Sequence, residues 1–184
     1  MMLLDRARAQ LLIVDVQDKL LPAMHDGARM VERCGILLQA AQRLGVPATL
    51  SEQYRKGLGA TVARLGNLKG DAPILEKSHF SCAADAGLAA RVQALAAAGR
   101  RQLVVAGIES HVCVLQSALG FKDMGLEVSV VADAVTSRHP DSVALALDRC
   151  RAAGVHVVNT EMALFEWLHV SGTPEFKELS RLIK

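Results

Sequence analysis

The chain has 184 residues, a net charge of +2 and only 3% aromatic residues. That length suits one domain, residues 1–184, with a large core. Lys and Arg are scattered with no basic stripe interleaved with aromatics, so nucleic acid is not an expected partner. No apolar run is long enough to span a bilayer, so no membrane partner is expected.

The opening Met1 to Arg8 is too short and too soon charged for a signal peptide, which points to a cytoplasmic protein. Leu11 to Val16 is a nearly continuous apolar run, as expected of a strand buried on both faces. A helical pattern runs from about Ala28 to Leu44 and stops at Gly45. Val46 to Ser51 reads as a second strand. The stretch from Glu52 to Gly70 is the least regular, and such a segment either shapes a ligand pocket or simply connects two elements at the surface. Ala72 to Lys77 reads as a short third strand and Asp85 to Ala98 as a helix. Gln102 to Ala106 is the fourth strand, and about His111 to Met124 is the helix after it. Glu127 to Ala132 is the fifth strand, Pro140 to Ala153 a helix and Val155 to Val158 the sixth strand. Thr160 to Leu168 and Pro174 to Ile183 close the chain as helices. Six apolar strands alternating with helices predict an α/β fold: a mainly parallel, doubly wound sheet covered on both faces.

The four cysteines, Cys34, Cys82, Cys113 and Cys150, include no C-x-x-C pair, and no histidine sits at zinc-finger spacing. Free thiols are expected in a reducing cytosol. Cys34 and Cys150 fall inside helical patterns and read as core or helix-face residues. Cys113 stands where a strand ending in Gly107 gives way to a helix. The positive end of that helix would favour its thiolate, and free backbone N–H groups there could hold an oxyanion. The plainer reading is a small buried hydrophobe.

In a doubly wound sheet, ligands bind beyond the carboxyl ends of the strands. Asp15 closes the first strand, Lys77 closes the third, and Cys113 follows the fourth. An acid within Ile13-Val14-Asp15-Val16 is costly to bury without a partner. The three make a coherent machine. Asp15 can take the thiol proton and later deliver it to a leaving group, while Lys77 stabilises the charges and orients them. A purely structural Asp–Lys pair is the alternative. Dinucleotide, P-loop and nucleophile-elbow motifs are absent.

Leu12 to Gln17, Glu76 to Ser81 and Gly107 to Val114 resemble the three signature regions of the isochorismatase-like cysteine hydrolases. Ser51 to Tyr54, Lys56 to Gly59 and Val131 to Arg138 are similar to supporting segments of that family. The matches cover nearly the whole chain, in order, and are closest to its uncharacterised isochorismatase-domain hydrolases. The resemblance implies a three-layer α/β/α, Rossmann-like fold and an Asp15–Lys77–Cys113 triad. It also implies a cis peptide between Ile108 and Glu109 and an oxyanion hole built from the backbone N–H groups of Glu109 and Cys113. Within or beside these segments Gln17, Gln53, Tyr54, His79, Phe80 and His111 are candidates to line the substrate pocket. Asp133, Ser137 and Arg138 are either supporting or ordinary turn residues, and Cys82 is a possible bystander.

Relatives that hydrolyse nicotinamide bind a metal through an Asp-x-His pair after the second strand. Here Ser51-Glu52-Gln53 stands in that place, so no metal and no other cofactor is expected. The presence of Cys113 favours acyl chemistry on a small-molecule amide or ureido C–N bond. The alternatives are an acid-catalysed ether hydrolase using Asp15 and a non-catalytic thiol sensor or scaffold on the same fold. Substitution of Asp15, Lys77 or Cys113 is expected to abolish hydrolysis and leave folding intact. Phe176, Leu179, Leu182 and Ile183 fall on one helical stripe, and with the apolar Leu164 to Leu168 segment they point to a homo-oligomer, a dimer or larger.

Overall fold

The alternation of buried apolar strands with amphipathic helices produces a six-stranded, all-parallel sheet in the computed structural model, which describes residues 3–183. The strands are β1 (Ala9–Val14), β2 (Ala48–Gln53), β3 (Ile74–Lys77), β4 (Gln102–Ile108), β5 (Glu127–Thr136) and β6 (His156–Val158), in the order β3-β2-β1-β4-β5-β6. The helices are α1 (Gly27–Leu44), α2 (Arg55–Leu58), α3 (Ala63–Leu68), α4 (Ala86–Ala97), α5 (Leu115–Asp123), α6 (Pro140–Ala152), α7 (Thr160–Leu168) and α8 (Pro174–Leu179).

Period-two alternation divides the strand side chains between two cores. Leu11 and Ile13 of β1, with Val104 and Ala106 of β4, join the layer containing α1, α3, α7 and α8. Leu12 and Val14, with Leu103 and Val105, join α4 and α5 on the other face. The sheet is therefore apolar on both sides, and its polar chemistry is confined to its edges and ends.

The strand order reverses between β1 and β4, which opens a crevice at their carboxyl ends. Gly107 sits beside it with φ +114°, and a Cβ there would lie 2.1 Å from the Val14 carbonyl oxygen. Only glycine allows β4 to approach β1 so closely.

Three segments differ from the sequence reading. The region after Glu52 is not irregular: β2 runs on to Gln53, and α2 and α3 follow. A single antiparallel bridge between Gln17 and Thr61 ties this region to the loop after β1. The helix expected from His111 begins as a π-helical turn, Ser110–Val114, before α5. The tail is α8 followed by a 3-10 turn, Ser180–Ile183, and its apolar stripe is spent on its own chain. Leu179 is buried, the Phe165 and Phe176 rings lie 6.1 Å apart, and Arg43 of α1 pairs with Glu175 and Glu178. Phe176, Leu182 and Ile183 pack, partly buried, against the same core.

Candidate active site

Asp15 is the first residue past β1 and has φ +52°. Asp tolerates this left-handed conformation better than most residues, and such outliers cluster at functional sites. The turn brings its carboxylate into a buried polar cluster. Asp15 is 0% exposed and Lys77 3%.

Lys77 Nζ donates to Asp15 Oδ2 at 2.6 Å, to Gln53 Oε1 at 2.6 Å and to the His79 carbonyl at 3.1 Å. An ammonium has three protons, so all of them are committed to the protein. Lys77 therefore acts on its surroundings as a fixed charge and not as a free donor. Burial works against that charge, but Asp15 and then the Cys113 sulfur hold the ammonium above its ordinary pKa. The other carboxylate oxygen, Asp15 Oδ1, accepts from Ser51 Oγ at 2.6 Å.

Cys113 lies within the π-helical turn, at 7% exposure. Turns of this kind are frequent at functional sites. Burial first, and then the charge of Asp15, pushes its thiol up to about 12, with Lys77 pulling the other way. Burial and the Asp15 charge thus oppose the pull of the helix end on the thiol, in keeping with a site where a neighbouring carboxylate takes the proton. Cys82 is buried nearby, its Sγ 3.6 Å from Ser51 Oγ, and burial raises its thiol to about 11.

The Ile108–Glu109 peptide is cis. The Glu109 carbonyl accepts from Val112 N at 3.1 Å and Val114 N at 3.2 Å, closing the turn that carries Cys113. The Glu109 carboxylate accepts from Arg138 Nε at 3.0 Å and Arg138 N at 3.2 Å. His111 Nδ1 lies 2.9 Å from Ser137 Oγ. These contacts clamp the turn after β4 to the turn after β5. Asp133 lies apart from them: its Oδ1 accepts from Thr160 N and Oγ1 at the start of α7.

The other pocket candidates separate. Gln17 is fully buried. Its amide donates to the Gln53 and Gly59 carbonyls at 3.0 and 2.7 Å and accepts from Gln53 N at 2.7 Å. It is a brace between the loops after β1 and β2 and is not open to a ligand, which corrects its place among the pocket residues. Gln53 is likewise engaged at both ends of its amide, by Lys77 and by the Ser78 carbonyl. Tyr54, Lys77 and His79 share a cleft of about 350 Å³ with Arg55 and Lys56. Phe80 is exposed in the segment after β3. A larger cavity of about 480 Å³ lies beyond the end of β5, lined by His25, Arg29, Asp133, Thr136 and Leu147, and none of Asp15, Lys77 and Cys113 lines it.

Among the described residues, no three His, Cys, Asp or Glu side chains gather as a metal site. Glu52 is buried and committed: it accepts from Thr61 N and Oγ1 and pairs with Arg55 at 3.4 Å. No described helix is long and apolar enough to cross a membrane.

Ser51 is the residue that sequence reasoning missed. A serine at a strand end carries no signal of its own. The available clue was its spacing two residues before Gln53, which puts both side chains on one face of the strand.

The arrangement is thus a charge pair held at the ends of β1 and β3, with the Cys113 thiol carried by the turn after β4. The same arrangement of elements occurs in known proteins. A ribonuclease, MAR1 of Caenorhabditis elegans, superposes with a TM-score of 0.91 at 30% identity, covering 99% of this chain and 92% of that one. The secreted isochorismatase effector Isc1 of Phytophthora sojae is 33% identical over 180 residues, 95% of this chain and 83% of that protein. Isochorismatase domain-containing protein 1 of Danio rerio is 35% identical over 170 residues, and there the chain spans 92% of its own length but only 59% of the relative's. Residues 9–162, from the start of β1 into α7, match the isochorismatase domain itself, and on this combined sequence and fold agreement the chain belongs to the isochorismatase-domain family.

Proposed function

We propose that the protein is a metal-independent cysteine hydrolase that cleaves an amide or ureido C–N bond of a small molecule through a covalent acyl-enzyme. The observation that carries the reading is the fully buried Asp15–Lys77 pair, 2.6 Å apart, beside the Cys113 thiol, which burial and the Asp15 charge push up. A neutral thiol is a weak nucleophile, so it needs a base at the moment of attack, and Asp15 is the adjacent carboxylate.

As Cys113 Sγ bonds to the substrate carbonyl carbon, Asp15 takes the thiol proton. The C=O electron pair moves onto oxygen, where the N–H groups of Glu109 and Cys113 hold it. The intermediate collapses, the C–N bond breaks, and Asp15 returns its proton to the departing nitrogen. Water then attacks the thioester carbonyl, Asp15 accepts its proton, and release of the acid restores the thiol. Lys77 offsets the carboxylate and thiolate charges throughout without giving up a proton. His79, Tyr54, Phe80 and His111 border the approach and sort substrates.

The near-complete burial of the three groups favours a small substrate over a polymer such as RNA. The protein is further taken to be a single cytoplasmic domain that self-associates, the free state of its four cysteines being in keeping with a reducing compartment.

The test is intact-mass spectrometry after incubation with a panel of small amides and ureido compounds, followed by peptide mapping. An acyl adduct on Cys113 that turns over, and that Cys113→Ala does not form, is expected. Unchanged turnover in Cys113→Ala would move the chemistry to acid catalysis by Asp15.

A further inference from the structure

β2 lies between β1 and β3, so it can touch both members of the charge pair. Ser51 stands opposite Val14, the residue before Asp15, and Gln53 stands opposite Lys77. Two apart on one strand, Ser51 and Gln53 face the same side of the sheet. Each reaches to a different neighbouring strand. Ser51 Oγ donates to Asp15 Oδ1, and Gln53 Oε1 accepts from Lys77 Nζ, both at 2.6 Å. The Asp15 backbone N also donates to the Ser51 carbonyl at 3.1 Å.

Both contacts have a fixed direction. An ionised carboxylate only accepts, so the single Ser51 proton goes to it. The Cys82 thiol, 3.6 Å from Ser51 Oγ, donates to the serine from behind. Gln53 Nε2 donates to the Ser78 carbonyl at 2.8 Å, so a flipped amide would lose two bonds at once. Ser51 is 1% exposed, which leaves water no room to substitute for it.

We propose that Ser51 and Gln53 are positioning residues that hold the Asp15–Lys77 pair in its working geometry. The proposal rests on the reading of Asp15 as the base for Cys113. With Oδ1 held by Ser51 and Oδ2 by Lys77, the carboxylate cannot turn about its Cβ–Cγ bond, and its approach to Cys113 is set. With Gln53 and the His79 carbonyl taking two ammonium protons, the third is aimed at Asp15. The titratable groups facing Asp15 are Lys77 from β3, Cys113 from the turn after β4 and Cys82 from the segment before α4. Ser51 is the neutral donor among them.

The experiment uses p-nitrophenyl acetate, an activated acyl donor, and follows the p-nitrophenolate burst across pH in the wild type, Ser51→Ala, Ser51→Thr, Gln53→Met and Cys113→Ala. A burst that needs Cys113 is expected in the wild type. Ser51→Ala and Gln53→Met should acylate about 10- to 100-fold more slowly, with the half-saturating ester concentration within about twofold, as befits lost orientation. Ser51→Thr keeps the hydroxyl and should recover most of the rate.

A wild-type burst rate in Ser51→Ala, or a Ser51→Thr variant as slow as Ser51→Ala, would overturn the proposal while leaving the acyl-enzyme reading intact. A burst that survives in Cys113→Ala, or no burst in the wild type, would instead defeat the acyl-enzyme reading. The brace is then decided by a double-mutant cycle of Ser51→Ala with Asp15→Asn in urea unfolding. A coupling of at least tenfold in the unfolding constant, about 1.4 kcal/mol, supports it, and additive effects overturn it.

Discussion

Replacing Lys77 with Met keeps the length of the side chain and removes its charge. The pair it breaks has both side chains at 0% exposure, so Asp15 would be left charged and without water. Ser51 Oγ would still donate to it, while Gln53 Oε1 and the His79 carbonyl would lose their ammonium donor. Breaking a buried pair by removing one partner costs about 3–5 kcal/mol, and we expect about 4 kcal/mol here. That is a large share of the roughly 5–15 kcal/mol that holds an ordinary domain together. The expectation from sequence that such a variant folds undisturbed is thereby revised. Asp15→Asn combined with Lys77→Met removes both charges and should lie within about 1–2 kcal/mol of the wild type, because neutral replacement of a buried pair is close to neutral in energy. Trp167 is the only tryptophan and is fully buried, so its fluorescence reports urea unfolding directly. A Lys77→Met protein within about 1 kcal/mol of the wild type, with the double variant no more stable than the single, would refute the reasoning.

Cys113→Ala should lower turnover of the true substrate by at least about a thousandfold with little change in unfolding midpoint, as a nucleophile's loss does; steady-state assays and urea melts check both. Cys113 should be alkylated before Cys34, Cys82 and Cys150 because it is the least buried of the four, and its rate should climb about tenfold per pH unit from 7 to 10, its thiol lying near 12. Timed iodoacetamide labelling with peptide mapping reads this, and a plateau near neutrality would contradict it. Cys34 is held protonated by burial, with Asp133 adding to the effect, so the unfolded chain ionises first above pH 9. The sign follows: its contribution to stability is present below 9 and is lost as pH rises, at up to about 1.4 kcal/mol per unit. Cys34→Ala should flatten the fall in urea midpoint between pH 9 and 10.5. Exhaustive chelation should leave hydrolysis unchanged; loss of activity with rescue by zinc, iron or manganese would refute the metal-free assignment.

The parts of the site legible in the sequence are those that violate a local rule. Asp15 interrupts an apolar strand run, Lys77 ends one, and Gly107 precedes a turn that carries a thiol. Each is conspicuous because burying it where the pattern puts it would be costly alone. Ser51 violates nothing. Its importance comes from pairing with a residue 36 positions away on the next strand, a relation that no periodicity encodes. Gln17 misled for the same reason. A buried glutamine satisfied by backbone carbonyls and an exposed one facing a ligand look alike in sequence, and only the partners distinguish them. The tail was ambiguous in a different way. An amphipathic stripe specifies that something apolar will cover it, and the Arg43 pairs with Glu175 and Glu178 decide that α1 of the same chain does.

Two effects compete at Cys113. A helix end favours an anion by roughly 0.3–1 kcal/mol. Moving a thiol from 9.0 to about 12 corresponds to about 4 kcal/mol, several times more. Burial and the Asp15 charge therefore disfavour a free thiolate at this site. The buried charge pair gives the alternative a physical basis. Lys77 keeps a carboxylate ionised beside the thiol, and the proton moves only when a carbonyl is in place to accept the sulfur. On that account the nucleophile is generated by the substrate's arrival, and the resting thiol is protected from adventitious alkylation by the same burial that raises it.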